Sequence, residues 1–188
     1  MKKTMKKLTA WMNLPKEYQQ GKFVILPLPY EHHITYGKGA SCGPKEIVKA
    51  SYYLEYYDCE QNNEPYEHGI ALRKPLPLRN LRPEAMITRV ADAVQKEMAQ
   101  PEKKKFVIGL GGDHAVTLGM VHGMEQLQKK NGTADDFSIV ILDAHADFRD
   151  SWNGSPFNHA CVARQRAKKH DLLLLGIRSM DSDEARMI

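Results

Sequence analysis

The fold is decided by residues 137–147, FSIVILDAHAD, in which the apolar run Phe137 to Leu142 leads directly into Asp143-Ala-His145-Ala-Asp147. A short, continuously apolar and β-branched run predicts a strand that is buried on both faces, as in parallel sheets. Alternate side chains of an extended chain share a face, so we expect Asp143, His145 and Asp147 to project to the same side. Ligand sites of open α/β sheets lie at this carboxyl end of the strands.

Similar apolar runs alternate with helix-like stretches along the rest of the chain. Further strands are predicted at Phe23 to Leu26, Phe106 to Leu110 and Leu172 to Ile177. Helices are predicted at Pro44 to about Tyr57, Arg82 to about Ala99, Ala115 to about Lys130 and His159 to about Lys169, and another begins in Asp183 to Ile188. This alternation predicts an α/β fold, a three-layer α-β-α arrangement with a mostly parallel sheet. The one candidate linker, Asn62 to Pro77, is expected to be a surface loop.

Length and composition predict a single domain over residues 1–188, because the chain is 42% hydrophobic and is long enough to bury a core. No apolar run approaches the ~20 residues of a membrane span, and the N-terminus lacks the apolar stretch of a secretory signal. We therefore expect a cytoplasmic protein without a membrane partner. Cys42, Cys59 and Cys161 are odd in number and widely spaced, which predicts reduced thiols rather than disulfides or a zinc site.

The net charge of +4 gives little support to a nucleic-acid partner. It is matched by Lys2, Lys3, Lys6 and Lys7, in a terminal segment that we expect to be frayed and solvated. The rest of the chain therefore carries no net charge that would attract nucleic acid.

A second polar motif, Gly109-Leu-Gly-Gly-Asp113-His114, follows the strand predicted from Phe106. Its glycines allow a sharp turn and a close backbone approach, so His114 is also delivered to the carboxyl end of a strand. We expect Asp113 to orient the helix start or to support a ligand rather than to bind metal. Taken alone, the loop also fits a phosphate at a helix N-terminus, but it lacks the lysine of a P-loop and the spacing of a dinucleotide fingerprint.

Two strand ends that supply His114, Asp143, His145 and Asp147 predict a metal site. Carboxylates this close at the end of a buried strand raise one another's pKa unless a cation neutralises them. If the chain had only one His-x-Asp motif, a helix-capping aspartate beside a solvated histidine would be the better interpretation. The second motif, at another strand end, favours the metal site instead. The oxygen-rich set with imidazoles favours Mn²⁺ over the metals that thiolates select.

Both motifs resemble signatures of the ureohydrolase (arginase and agmatinase) family in order and approximate spacing, and agmatinase is the most similar type. Pro27 to Tyr30, Tyr36 to Ser51 and Gly176 to Met180 are also similar to that family. The resemblance implies an arginase-like fold and a pair of Mn²⁺ ions that activates a shared hydroxide. It also implies that His114 and Asp147 bind one ion, that His145 binds the other, and that Asp143 bridges them.

His159 lies where this family has a histidine that lines the active site, so the resemblance implies that it passes a proton to the leaving amine. An ordinary histidine at a helix N-terminus is an equal alternative. The remaining histidines are expected to be solvated or structural, without convergent partners: His32, His33, His68, His122 and His170.

The substrate implied by the resemblance is a small guanidine. The segment from Phe148 to Asn158 does not resemble the loop with which arginases hold arginine, which favours agmatine, hydrolysed to putrescine and urea in polyamine biosynthesis. The family's habit also implies a homo-oligomer, a trimer or a hexamer.

The family pattern requires a later strand end with two further aspartates, followed by a glutamate, and none of these is found. Asp181 and Asp183 follow the strand from Leu172 too early to take that role. We therefore expect residues 1–188 to be the N-terminal portion of a ureohydrolase domain, incomplete at its C-terminal side. Three alternatives stay open: another ureohydrolase (guanidinobutyrase, formiminoglutamase or arginase), a non-catalytic assembly or regulatory chain that binds metal poorly, and a glycine-loop phosphate or nucleotide binder.

Overall fold

The computed structural model describes residues 9–99, 105–132 and 137–188. Within them the strands are β1 Phe23–Leu28, β2 Ile70–Leu72, β3 Phe106–Gly111, β4 Ile139–Leu142 and β5 Leu172–Leu175. The α-helices are α1 Gly43–Ala50, α2 Pro83–Met98, α3 Val116–Lys130, α4 Val162–Ala167 and α5 Ser182–Met187. Short 3₁₀ turns lie at Trp11–Asn13, Lys16–Tyr18, Ala40–Cys42, Ser51–Tyr53, Pro65–His68 and His159–Cys161. The four lysines predicted to be frayed lie outside the described residues.

Every strand pairing in the described residues is parallel, which confirms the predicted α/β class. β1 lies between β2 and β3, and β4 pairs separately with β5. The register of β1 and β3 runs from Phe23↔Phe106 to Leu28↔Gly111. In the second sheet Leu142 pairs with Leu175, so the segments that follow β4 and β5 emerge side by side.

The prediction of a surface loop at Asn62 to Pro77 is wrong for residues 70–72, which form β2. Ile70 pairs in register with Phe23, and backbone hydrogen bonds from Arg73 N to Ile25 O (2.9 Å) and from Leu76 N to Pro27 O (3.0 Å) extend the attachment. Three apolar residues are too short a pattern to predict a strand. The pairing depends on tertiary contact with β1.

α1 ends at Ala50, before the predicted boundary near Tyr57. The Ser51 hydroxyl donates to Val48 O (2.7 Å) and accepts from Met12 N (3.0 Å), side-chain bonds that compete with helix continuation. The helix predicted from His159 starts as a 3₁₀ turn and continues as α4. The helix predicted in Asp183 to Ile188 is confirmed as α5.

Two packed clusters support the two strand ends that carry the polar motifs. Under β3, Gly119 and Gly123 have no side chains and so allow α3 to approach α2 closely. A Cβ at Gly119 would lie only 2.6 Å from Val90 Cβ, and one at Gly123 only 2.8 Å from Val94 Cβ. Under β4, the second cluster contains Ile139, Ile141, Ala146, Phe148 and Ala163. Both polar motifs therefore follow strands that are held in place by closely packed side chains.

Across residues 9–99, 105–132 and 137–188, no helix combines the length and apolar character needed to cross a membrane. Cys42, Cys59 and Cys161 are all free thiols, of which only Cys161 is buried. This agrees with the prediction of reduced cysteines.

Candidate metal centre

Three of the four predicted ligands meet at one point. One ligand atom from each of His114, Asp143 and Asp147 lies within 4.8 Å of the other two. His114 Nδ1 is 2.7 Å from Asp147 Oδ2 and 4.0 Å from Asp143 Oδ2. Two carboxylates and an imidazole in this arrangement can hold a divalent cation, and oxygen and nitrogen donors suit Mn²⁺.

The glycine turn after β3 places His114. A Cβ at Gly112 would lie 1.9 Å from Tyr30 O, so only glycine permits this backbone contact. Gly112 N donates to Leu28 O (3.0 Å) and Asp113 N donates to Tyr30 O (2.9 Å), which fixes the turn against the end of β1. His114 is thereby held at the carboxyl end of β3, as predicted.

Asp113 is held by backbone donors rather than by the three predicted ligands. Its Oδ1 accepts from Ala115 N (2.9 Å) and its Oδ2 from His32 N (3.1 Å), so it braces the start of α3 and the loop that begins at residue 31. Burial raises the pKa of Asp113, although these two backbone donors oppose the rise. The role expected for Asp113 as an orienting group fits these contacts.

Asp147 adopts a left-handed backbone conformation, with φ of +49°. Its carbonyl oxygen accepts from Ala163 N (3.1 Å) and Arg164 N (3.3 Å) at the start of α4. Aspartate tolerates this conformation better than most residues. The extended geometry assumed from the sequence therefore stops before Asp147, and a turn rather than alternation directs its carboxylate to His114.

His145 lies beside the three ligands rather than among them. Its side chain is 66% exposed, and its Nδ1 is 3.5 Å from Asp143 Oδ1. His145 N donates to the same oxygen (2.9 Å). Burial opposes ionisation of Asp143, yet the His145 backbone N–H and the nearby His114 together hold the pKa of Asp143 below its usual range.

A cavity of about 660 Å³ opens around the ligands. One wall is the segment after β1, which contributes Glu31, His33, Thr35 and Tyr36. His159 lines the cavity too, and its Nε2 lies 3.0 Å from Thr35 Oγ1. His33 was predicted to be solvated, but its Nε2 is buried and finds no hydrogen-bond partner in the described parts of the chain.

The opposite wall is built around Arg149. Its Nη2 lies 2.9 Å from Asp181 Oδ2, and its guanidinium carbon lies 4.1 Å from the centre of the Trp152 ring. Asp181 also caps α5 by accepting from Asp183 N and Glu184 N, while Asp183 is exposed and pairs with Arg186. Asp181 and Asp183 are thus engaged away from the three ligands.

The sequence did not predict Glu31, Thr35, Arg149, Trp152 or Glu184 as pocket residues. Their side chains are polar or aromatic and lie in loops or at a helix start, without a spacing that indicates convergence. Two signals were available: Glu31 directly follows Pro27 to Tyr30, and Arg149 and Trp152 lie in the segment from Phe148 to Asn158.

Comparisons with known proteins agree on a single family. Residues 21–188 match the family model described as the arginase family. The chain is 37% identical over 177 residues to N(1)-aminopropylagmatine ureohydrolase from Synechocystis sp., covering 91% of this chain and 55% of that protein. It is 33% identical to agmatinase from Pyrococcus horikoshii, covering 92% and 58% respectively.

Solved structures have the same architecture. Agmatine ureohydrolase of Thermoplasma volcanium superposes with a TM-score of 0.75 at 29% identity, over 88% of this chain and 53% of that chain. Arginase from Medicago truncatula, at 22% identity and a TM-score of 0.73, supports the fold alone. The predicted arginase-like fold is confirmed, and the chain spans about half the length of the relatives that it matches.

Proposed function

The chain belongs to the arginase family, and we propose that it supplies the metal centre of a hydrolase that converts agmatine and water to putrescine and urea. The convergence of His114, Asp143 and Asp147 within 4.8 Å carries this proposal. Single acidic groups are common on protein surfaces. Two carboxylates and an imidazole that come from two separate strand ends and lie within 4.8 Å of one another are less easily explained without a bound cation. A metal-dependent reaction accounts for such an arrangement.

We infer that this donor set holds part of a site for two Mn²⁺ ions. We assign His114 and Asp147 to one ion, His145 to the other and Asp143 to the bridge. His145 is exposed and stands beside Asp143, so its imidazole would be available to a second ion held there. When bound, the ions supply a water activated near neutral pH and stabilise charge that develops on the guanidinium.

His159 is the group that we assign to proton transfer. Its Nε2 contacts Thr35 Oγ1, and its Nδ1 is buried without a hydrogen-bond partner among the described residues. The threonine hydroxyl fixes the orientation of the ring, and a proton exchanged with the leaving amine would pass through Nε2, because the buried Nδ1 is closed to a ligand.

The charge of the cavity favours a guanidine with a cationic tail. Apart from the predicted metal ligands, the lining has four carboxylates, from Glu31, Asp113, Asp181 and Glu184, and one guanidinium, from Arg149. This balance disfavours a substrate carboxylate such as that of arginine. N(1)-aminopropylagmatine is a second candidate substrate, because four relatives of 31–37% identity carry that name and its longer tail is also cationic.

A Mn²⁺-binding experiment tests the proposal most directly. Calorimetry on the purified chain is expected to give Mn²⁺ binding that His114→Ala weakens by at least about tenfold, an effect that loss of outer ligand contacts alone can produce. Urea release from agmatine, N(1)-aminopropylagmatine, arginine and 4-guanidinobutyrate is measured alongside. A folded chain that binds no Mn²⁺ would overturn the proposal and favour the assembly or regulatory alternative. Stabilisation by a nucleotide without metal would favour the phosphate binder.

The same proposal includes a homo-oligomeric assembly and a cytoplasmic location. A small guanidine is the only further partner that it requires. Sedimentation and cell fractionation check these two points separately from metal binding.

A further inference from the structure

Three of the four cavity carboxylates outside the metal centre are fully engaged within the chain. Asp113 accepts one backbone N–H on each oxygen. Asp181 caps α5 with Oδ1 and pairs with Arg149 through Oδ2. Glu184 accepts from Phe148 N on Oε1 (2.8 Å) and from Asp181 N on Oε2 (2.9 Å). None of these three has a free oxygen to offer a ligand.

Glu31 differs from the other three. Its Oε2 accepts from both Gly39 N (2.9 Å) and Ser41 N (3.0 Å), so both donors converge on one oxygen. Glu31 also lines the cavity, and neither of these two backbone hydrogen bonds uses Oε1. The Ser41 N–H and its neighbours keep the pKa of Glu31 below its usual range, so the carboxylate is ionised at neutral pH.

The loop from residue 31 to residue 41 holds this carboxylate in place relative to the metal centre. His32 N donates to Asp113, the residue before His114, and Thr35 contacts His159. Gly37 and Gly39 have φ of +70° and +118°, so the loop turns back on itself to reach Glu31. Glu31 is therefore fixed by its own loop and does not need to be ordered when a ligand binds.

We propose that Glu31 determines specificity by accepting an ammonium group of the substrate tail on Oε1. The inference rests on the proposed function, since the guanidinium must occupy the metal centre for the tail to extend along the cavity. A charge-assisted hydrogen bond from an ammonium is stronger than a neutral one, and an already fixed acceptor keeps the entropic cost small. The substrate class is thus a linear guanidine whose tail carries at least one ammonium.

Glu31→Gln separates this role from loop anchoring. The glutamine carbonyl can still accept from Gly39 N and Ser41 N, whereas the side chain no longer carries the negative charge that would pair with an ammonium. Glu46→Gln is the matched control, because it removes the same charge from the exposed face of α1, where Glu46 pairs with Lys49. Unchanged thermal unfolding of both variants would confirm that the loop stays folded.

The measurement is calorimetric binding of three guanidines to the Mn²⁺-loaded chain: n-butylguanidine, agmatine and N(1)-aminopropylagmatine. We expect Glu31→Gln to weaken binding of the two ammonium-bearing ligands by about two- to fivefold, the range of exposed ion pairs, and to leave n-butylguanidine unchanged. Equal changes for all three ligands, or none, would refute the role of Glu31 while the proposed function stands. Failure of the unmodified chain to bind any of the three would remove the proposed function and this inference together.

Discussion

At the scale of single residues, the candidate metal centre depends on a backbone conformation at Asp147. The alternation of side chains along an extended strand does not predict that conformation. Asp143 and His114 could be placed from the sequence, because each directly follows a strand. Asp147 reaches His114 only through its left-handed turn, which the N–H groups of Ala163 and Arg164 stabilise from the start of α4. Those two contacts lie sixteen and more residues along the chain, so no local pattern indicates them.

The turn at Asp147 gives a test that separates ligand charge from backbone strain. Asp147→Asn retains a side chain that tolerates positive φ, so its free energy of unfolding should change by less than about 0.5 kcal/mol. Asp147→Ala should lose about 1 kcal/mol or more, because alanine is strained in the left-handed region. Both should bind Mn²⁺ at least about tenfold more weakly, since both lack the carboxylate.

Urea unfolding and Mn²⁺ calorimetry on the two Asp147 variants provide the comparison. If Asp147→Asn binds Mn²⁺ as tightly as the parent chain, Asp147 is not a ligand. If the two variants are equally stable, the left-handed conformation carries no strain.

At the scale of elements, the sequence predicts the strands of the parallel pairs well and their surroundings less well. β1, β3, β4 and β5 coincide with apolar runs, whereas β2 and the end of α1 depend on contacts with β1 and Met12. His122 and His170 were expected to lack convergent partners, and this is wrong. Both contact Glu125, at 3.0 Å and 2.9 Å.

Glu125 joins α3 to α4 and to the start of β5. Its Oε1 also accepts from Arg166 Nη1 (3.0 Å), and Glu125, Arg166 and His170 are all buried. Desolvation works against ionisation of Glu125, yet hydrogen bonds from His170 and His122 and the charge of Arg166 bring its pKa below the usual value. Its ionised form is therefore part of the folded state.

Glu125→Ala should lower the free energy of unfolding by about 3 kcal/mol or more, because it leaves the Arg166 charge buried without a partner. A depressed folded-state pKa contributes stability above the unfolded pKa of about 4.5, and that stability is lost as the pH falls through the folded pKa. Glu125→Gln should therefore flatten the loss of stability below pH 4.5. Urea unfolding between pH 7 and pH 3 measures both effects.

Glu46→Ala, which removes an exposed partner of Lys49, serves as the control and should cost under about 0.5 kcal/mol. A Glu125→Ala chain as stable as this control would contradict a structural role for the buried cluster. An unchanged acid dependence in Glu125→Gln would mean that other carboxylates dominate acid unfolding.

At the scale of the whole molecule, the sheet formed by β4 and β5 exposes apolar side chains on one face. Val140 and Leu142 of β4 are 57% and 78% exposed, and Leu173 and Leu175 of β5 are 52% and 43% exposed. These residues alternate with the buried Ile139 and Ile141, so they share one face of the sheet. Parallel sheets are normally covered on both faces, and the match covers only 55% of the relative from Synechocystis sp..

This exposed face should make the chain self-associate, and paired charges on it should prevent that. Val140 and Leu173 are register partners, so Val140→Lys combined with Leu173→Glu places opposite charges side by side on adjacent strands. Because both side chains are already half exposed, stability should change little. We expect sedimentation to give a concentration-dependent increase in mass for the parent chain and a mass that does not change with concentration for the double variant.

Tyr53→Lys provides the comparison, since Tyr53 is 85% exposed on a 3₁₀ turn away from β4 and β5. Loss of association in the double variant but not in Tyr53→Lys would locate the contact on the β4–β5 face. A parent chain that stays monomeric at high concentration would mean that the open face is tolerated in water. Association that survives the double substitution would instead assign it to another surface, such as the open edge of β3 around Phe106, which is 59% exposed.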